Sequence, residues 1–236
     1  MELNPMALNE GDRLGRYQVK AVVGTGGMGV VYRAYDPQLE RLVAIKVLDP
    51  VHSQEGDEGH TSTRLLQEAR SASALNHPNV CTIYEVSEQG ECAFIAMEYI
   101  DGRPLDRLIA GGLPISEAID YAHQIADALA HAHEHGVIHG DLKAANVIVS
   151  SQGRVKVVDF GLARRQSTDS EKTFATETSP ISGTPYAMAP QQLTGARPDA
   201  QSDIWALGVL LHEMLAGSRP FAGRTTAELV SSILRD

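Results

Sequence analysis

Four glycines lie within six residues near the start of the chain, in the order Gly24-Thr25-Gly26-Gly27-Met28-Gly29. Runs rich in valine and tyrosine flank them at 17–23 and 30–35, so the pattern predicts a loop that joins two β-strands. A dinucleotide-binding fold uses the same glycine spacing but needs a helix after the loop, with the helix N-terminus on the pyrophosphate. The strand that follows here favours a flap whose bare backbone N–H groups lie over phosphates. A tight hairpin without a ligand is the alternative.

The rest of the first hundred residues indicates a sheet with a single helix. Three further strands are predicted by apolar patterns at 42–48, 80–86 and 93–97. A helix between them has an apolar face formed by Leu65, Ala69, Ala72 and Leu75. Together these segments predict a five-stranded antiparallel sheet with one helix. It follows a loose leader at 1–14 and precedes a hinge at 101–104.

One charged residue, Lys46, interrupts the apolar strand at 42–48. Because an unpaired buried charge is costly, this lysine requires an anionic partner. Glu68 falls on the apolar face of the predicted helix and is the natural candidate, although a solvated carboxylate at the edge of that face is the alternative interpretation. A pair between Lys46 and Glu68 explains both residues, so we predict it.

The second half of the chain is predicted to be mostly helical. One apolar stripe, which ends near Gly136, comprises Ala118, Ile119, Ala122, Ile125, Ala126, Leu129 and Ala130. A second stripe, closed by Gly217, comprises Ile204, Leu207, Leu211 and Leu215, and one more helix is predicted at 226–234. A short hairpin is predicted from 147–149 and 155–158, and the Ser- and Thr-rich stretch 166–182 is typical of a long loop.

The ends of that hairpin carry side chains suited to a metal ion. Asn146 precedes its first strand and Asp159 follows its second, and the ends of an antiparallel hairpin are neighbours. The two side chains are therefore predicted to present oxygen ligands at one point. Sparse oxygen coordination suits Mg²⁺ with a phosphate completing the shell. Asp141 lies a few residues upstream, close enough to orient an attacking hydroxyl.

Composition argues against several classes of function. The formal net charge of −10 disfavours non-specific binding to nucleic acid or anionic membranes. No run of 18 apolar residues is present to form a spanning helix, and the N-terminus lacks the layout of a signal peptide. The two cysteines, Cys81 and Cys92, are too few for a disulfide framework and indicate reduced thiols. We therefore expect a cytoplasmic protein with no nucleic-acid partner and no membrane insertion by this segment; no pattern indicates an oligomeric state.

The motifs and their order resemble the signature set of protein kinases. The glycine-rich loop is followed by Val-Ala-Ile-Lys ending at Lys46, the helix glutamate, His-Gly-Asp-Leu-Lys-Ala-Ala-Asn ending at Asn146, and Asp-Phe-Gly from Asp159. Gly-Gly-Met-Gly and the segment 75–80 are most similar to bacterial serine/threonine kinases of the eukaryotic (Hanks) type. The resemblance runs from about Tyr17 to the last residue.

That resemblance implies an α+β, bilobal fold with a small antiparallel-sheet N-lobe and a mostly helical C-lobe. It implies a leader at 1–16, an ATP-binding N-lobe at 17–100 and a C-lobe at 101–236. We expect the C-lobe to be truncated, since the family's last helices would follow residue 236. The implied activity is transfer of phosphate from ATP to serine or threonine of proteins, autophosphorylation included, with Mg²⁺ or, alternatively, Mn²⁺.

The resemblance also assigns roles to individual residues. The implied catalytic residues are Asp141, Lys143, Lys46, Glu68 and Thr184, and the implied metal ligands are Asn146 and Asp159. Asp141 would be the base, Lys143 would contact the γ-phosphate, and the Thr184 hydroxyl would touch both. Lys46 would hold the α- and β-phosphates. The implied nucleotide-binding set, with Met97 as gatekeeper and 98–100 as hinge, is Gly24, Thr25, Gly26, Gly27, Met28, Gly29, Val31, Ala44, Lys46, Met97, Glu98, Ile100 and Ile148.

Two positions depart from the family pattern. Gly140 replaces the arginine that pairs with a phosphorylated activation-loop residue, so we expect loop phosphorylation to matter less for activity. Gln191 stands where the family has the glutamate of Ala-Pro-Glu, which favours the alternative of a kinase-like nucleotide-binding scaffold with little turnover. His-Gly-Asp also occurs in small-molecule phosphotransferases, but these usually lack Lys143 and the Asp-Phe-Gly motif.

A group of histidines also resembles a metal cluster. It comprises His131, His133, His135 and His139. Gly136 ends the helix before His139, so the four rings do not share one helix face. We interpret His133 as part of the helix stripe and His139 as the buried histidine of the catalytic loop.

Overall fold

The structure, a computed structural model, describes residues 8–26, 29–48, 66–89, 92–160 and 185–235. The chain divides into two compact units. The first comprises Met1–Ala74 and Thr82–Ile100, and the second comprises Leu75–Cys81 and Asp101–Asp236.

The first unit is built on an antiparallel sheet of six strands in the order β1-β2-β3-β4-β6-β5. The strands are β1 (Arg13–Leu14), β2 (Tyr17–Gly26), β3 (Gly29–Asp36), β4 (Arg41–Leu48), β5 (Ile83–Gln89) and β6 (Cys92–Glu98). Residues 66–72 form a helix, α1. One face of the sheet carries a core of large side chains that are at most 1% exposed, among them Tyr17, Tyr32, Ile45 and Phe94.

This sheet differs from the predicted one in two places. It has six strands instead of five because Leu14, in the predicted leader, pairs with Tyr17 of β2. Strand β5 begins at Ile83 and not at Val80. Val80 belongs to the second unit, where it bridges Val157. Neither pairing is visible in an apolar pattern, because pairing depends on which backbone lies alongside.

The second unit is mostly helical. Its helices are α2 (Ile115–Glu134), α3 (Pro190–Leu193), α4 (Ala200–Ala216) and α5 (Thr226–Arg235). A three-stranded sheet consists of β7 (Gly102–Pro104), β8 (Val147–Ser150) and β9 (Val155–Val157). Helices α2 and α4 pack against each other. The predicted ends of both helices are confirmed, since Gly136 and Gly217 follow them with φ of +70° and +66°.

The predicted helices exist, but the predicted apolar stripes are only partly buried. Ile119 and Ile204 are 57% and 62% exposed. Helix α4 instead buries a face that comprises Ser202, Asp203, Ala206, Val209, Leu210, Glu213 and Met214. The two carboxylates lie inward because each has a partner there, as described below. Among the described residues no helix is long and apolar enough to cross a membrane.

The segment 75–81, which follows α1, is anchored within the second unit. Asn79 Nδ2 donates to Gln124 Oε1 at 2.9 Å and to Val155 O at 2.8 Å. The backbone completes the attachment, because Cys81 N donates to Val157 O and Val157 N donates to Asn79 O. This loop therefore forms part of the layer that supports the β8–β9 hairpin.

Candidate active site

In the first unit, the sheet register places several predicted nucleotide-binding residues on one face. Val31 pairs with Lys46, Ala44 pairs with Met97, and Gly24 pairs with Val31. Directly paired residues share a face, and so do residues two apart in one strand. All five side-chain positions therefore lie on the face opposite Tyr32 and Ile45, the paired core residues of the other face.

The predicted charge pair of this unit is placed on a strand and a helix. Lys46 lies on β4 and is 4% exposed, and Glu68 lies on α1 and is half-buried. Their pairing stays a prediction. Of the predicted hinge, Glu98 ends β6 and is held to Thr82 by backbone and side chain, since Glu98 N donates to Thr82 O and Thr82 N donates to Glu98 Oε2. Ile100 follows β6.

The glycines of the loop are not equivalent. Gly26 pairs with Gly29, so the connection between β2 and β3 consists of Gly27 and Met28, which lie outside the described residues. Gly29 has φ of +124°, and a Cβ there would overlap the carbonyl oxygen of Val47. At Gly24 and Gly26 a Cβ would meet nothing within 4 Å among the described residues. The sheet therefore requires glycine at Gly29 but not at the other two positions.

In the second unit, the predicted base lies among hydrogen-bonding side chains. Lys143 Nζ lies 2.6 Å from Asp141 Oδ2. Asn146 Nδ2 donates to the Asp141 backbone oxygen at 2.8 Å and to Oδ2 at 3.3 Å. His139 Nδ1 accepts from Asp141 N at 3.2 Å. The structure thus brings together three of the predicted site residues, Asp141, Lys143 and Asn146.

The buried carboxylate of Asp203, on α4, accepts hydrogen bonds from the backbone of this loop. Asp203 is 1% exposed; its Oδ1 accepts from Gly140 N and its Oδ2 from His139 N, both at 2.8 Å. His133 Nε2 lies 2.8 Å from the same Oδ2. Asp203 thus holds the backbone of the loop immediately before Asp141. Helical periodicity does not predict the contact of His133 with Asp203, because a stripe of residues on α2 does not show which side chain lies opposite it.

Gly140 has a backbone conformation that favours glycine at this position. Its φ is +76°, a region that L side chains adopt only with strain. The sequence alone showed only that an arginine is missing. The structure shows in addition that the loop turns sharply at this position.

The predicted hairpin beyond the loop is confirmed. Val147 pairs with Val157, and Val158 N donates to Asn146 O at 2.9 Å, so the two ends are neighbours. Asn146 directs its amide nitrogen to Asp141, which leaves Oδ1 as an acceptor. Asp159 has φ of +64°, a conformation that non-glycine residues hold mostly where the surroundings impose it. Ile148, on β8, pairs with Pro104 and Lys156.

The four clustered histidines make several different contacts. His131 stacks on His77 with ring centroids 5.2 Å apart, and the tilted ring of His135 lies 4.4 Å from His131. His133 contacts Asp203, and His139 Nε2 lies 3.1 Å from Val158 O. Of the remaining predicted residues, Thr184 and Gly161 lie outside the part of the chain that the structure describes.

Known proteins similar to this chain are protein kinases. Residues 17–236 match the sequence family described as "Protein kinase domain". The chain is 38% identical over 217 residues to serine/threonine-protein kinase PrkC of Bacillus subtilis, covering 91% of this chain and 32% of that protein. It is 36% identical over 216 residues to serine/threonine-protein kinase PknA of Mycobacterium tuberculosis, covering 89% of this chain and 48% of that protein.

Solved structures show the same fold. The kinase domain of Mycobacterium tuberculosis PknI is similar with a TM-score of 0.74 and 29% sequence identity, covering 91% of this chain and 80% of that domain. The chain therefore spans most of a solved kinase domain, but only about a third to a half of the length of the curated relatives.

Proposed function

The chain belongs to the protein kinase family, and on that premise we propose that it transfers the γ-phosphoryl group of ATP to serine or threonine hydroxyls of proteins, itself included. Its relatives PrkC and PknA are named serine/threonine-protein kinases. We further propose that residues 17–100 bind the nucleotide and that residues 101–236 act on the accepting hydroxyl.

One observation carries this proposal, the contact of Asp141 with Lys143 and Asn146. A carboxylate that accepts a substrate hydroxyl proton has to be ionised and fixed in direction. Lys143 Nζ lies 2.6 Å from Asp141 Oδ2 and fixes the direction of the carboxylate, and Asn146 fixes the loop by bonding to the Asp141 backbone. Lys143 is also long enough to neutralise a phosphate oxygen during transfer.

The donor set fits Mg²⁺, with Mn²⁺ as the alternative. Asn146 Oδ1 and the Asp159 carboxylate are hard oxygen ligands at neighbouring ends of one hairpin. Among the described residues no group of three or more His, Cys, Asp or Glu is placed to hold a metal, so a two-residue set would depend on phosphate oxygens to complete its shell. The metal would neutralise phosphate charge.

The face of the sheet opposite Tyr32 and Ile45 would contact the adenine and the phosphates. Val31, Ala44 and Met97 offer apolar surface on that face, and Lys46 offers a cation beside them. Packing does not require glycine at positions 24 and 26. Glycine there favours a loop whose backbone N–H groups are exposed to phosphates over a merely tight hairpin.

The test is phosphate transfer from ATP to a generic basic protein in the presence and absence of Mg²⁺. Asp141→Asn should abolish transfer while ATP affinity, measured by calorimetry, stays within about threefold, because the residue acts on the hydroxyl. The matched control is Asp106→Asn, an exposed aspartate outside the site, which should retain full activity. Nucleotide binding without transfer by the unmodified chain would support the scaffold alternative, and full activity of Asp141→Asn would disprove the assigned base.

We also propose a cytoplasmic location for this domain. The proposal is supported by Cys81, which is buried and not in a disulfide, and by the requirement of the reaction for ATP. The partners would be proteins that present serine or threonine.

A further inference from the structure

Arg219 contacts both helix α4 and the 3₁₀ turn at Pro185–Ala187. Its guanidinium carbon lies 3.5 Å from the centroid of the Tyr186 ring. Its Nε lies 3.4 Å from Glu213 Oε1, in the last turn of α4. Tyr186 lies in a 3₁₀ turn, Pro185–Ala187, directly after Thr184. One side chain therefore contacts two elements that are far apart in sequence.

Glu213 requires a cation at this place. It is 5% exposed, and burial raises the pKa of its carboxyl while Arg219 opposes that rise. At 3.4 Å the contact is longer than a strong hydrogen bond, and Glu213 Oε1 makes no hydrogen bond to any of the described residues. Because a buried carboxylate without a counter-charge is costly, Arg219 is held near Glu213 by charge.

Tyr186 is buried beneath this guanidinium. The residue is 9% exposed, and burial raises the pKa of its hydroxyl while Arg219 opposes that rise. The ring lies under a guanidinium whose side chain is 57% exposed. A cation over an aromatic face is attracted by the ring, so Arg219 favours this position of Tyr186.

We infer that Arg219 is a positioning residue for phosphoryl transfer, which holds Tyr186 and the backbone at 185–187 against α4 by stacking on the ring while it pairs with Glu213. The inference rests on the proposed kinase function. Arginine suits both contacts, because its guanidinium is planar and always charged; lysine retains the charge but not the planar stack.

The kinetic test compares Arg219→Ala and Arg219→Lys with Arg197→Ala, a matched control that removes an exposed arginine of the same unit. Arg219→Ala should lower kcat/KM for the protein substrate about tenfold and leave KM for ATP unchanged. Arg219→Lys should lose about threefold, and the control should match the unmodified chain. If Arg219→Ala equals the control, or if KM for ATP rises as much as kcat/KM falls, the inference is wrong.

A double variant separates positioning from simple stabilisation. Arg219→Ala leaves the Glu213 charge buried, and adding Glu213→Gln removes that charge. The double variant should therefore recover thermal stability but not kcat/KM, because the stack on Tyr186 is still missing. Recovery of both would show that Arg219 acts only through stability and would overturn the inference.

Amide hydrogen exchange gives a readout that needs no activity. In Arg219→Ala the amides from Tyr186 to Ala189 should exchange several-fold faster than in the unmodified chain, while α2 amides are unchanged. If the unmodified chain transfers no phosphate, the proposed function fails, and exchange still decides whether Arg219 orders this segment. Unchanged exchange at these amides would overturn the inference even in an active kinase.

Discussion

Asp203 offers the sharpest test of how the catalytic loop is held. Asp203→Asn keeps one acceptor oxygen but turns an NH₂ group toward a backbone donor. In the unmodified chain the carboxylate accepts from His139 N, Gly140 N and His133 Nε2, each at 2.8 Å. Leaving one buried donor unsatisfied costs about 1–3 kcal/mol, and bonds to a charged acceptor lie at the upper end of that range. We therefore expect a loss of about 2–3 kcal/mol, out of a total stability of about 5–15 kcal/mol.

The effect on catalysis should exceed the effect on folding. His139 and Gly140 directly precede Asp141, so a loosened loop should displace this proposed base, and a misplacement of about 1 Å costs roughly 100-fold in rate. The assay is kcat at a temperature well below the unfolding midpoint, together with urea unfolding to obtain the free-energy change. We expect kcat to fall 10- to 100-fold while KM for ATP stays constant.

Asp199 provides the matched control on the same helix. Its Oδ1 accepts from Ser202 N at 2.8 Å and caps α4, and among the described residues its side-chain hydrogen bond goes to Ser202 and not to the loop at 139–141. Asp199→Ala should cost about 1 kcal/mol, typical of a lost cap, with kcat unchanged. If Asp199→Ala lowers kcat as much as Asp203→Asn does, the anchoring explanation is refuted, since general destabilisation of α4 would then be sufficient.

Three further predictions follow from the geometry. Gly29→Ala should lower the unfolding temperature because of its positive φ and the clash with β4, whereas Gly24→Ala should raise KM for ATP with little change in stability; the reverse pattern would contradict the distinction between the two glycines. Burial raises the pKa of Tyr121 to about 12, and its hydroxyl donates to Glu117 at 2.7 Å. Since an unfolded tyrosine has a pKa of about 10, this stabilisation is complete below pH 10 and is lost as pH rises toward 12; Tyr121→Phe should flatten the fall of the unfolding free energy over that interval. Gly140→Arg should destabilise the chain by about 1–2 kcal/mol because of the positive φ at this position. Since Gly140 offers no arginine to pair with a phosphorylated loop residue, phosphatase treatment should change the activity of the unmodified chain by less than about twofold. A large loss of activity on dephosphorylation would refute this second expectation.

Elements whose signals are local could be predicted from the amino-acid sequence. Periodicity predicted helices α2 and α4, and a glycine after each one predicted where it ends, because a left-handed residue there requires no partner from elsewhere in the chain. The β8–β9 hairpin was predicted for a similar reason, since its two strands are separated by only a few residues. The family motifs predicted which residues form the site. The roles of these residues, and the pairing of Lys46 with Glu68, stay predictions.

Which helix faces are buried, and which distant side chains meet, depends on tertiary packing. Ile119 and Ile204 belong to the apolar stripes that predicted α2 and α4 but are exposed, because burial depends on the surface that packs against a helix and not on its own periodicity. Asp203 reaches His139 across 64 positions of sequence, and Arg219 reaches Tyr186 after a loop and two helices. No local sequence pattern predicts such contacts. Burial of a charged helix residue is favourable only when distant segments of the chain provide its hydrogen-bond or charge partners.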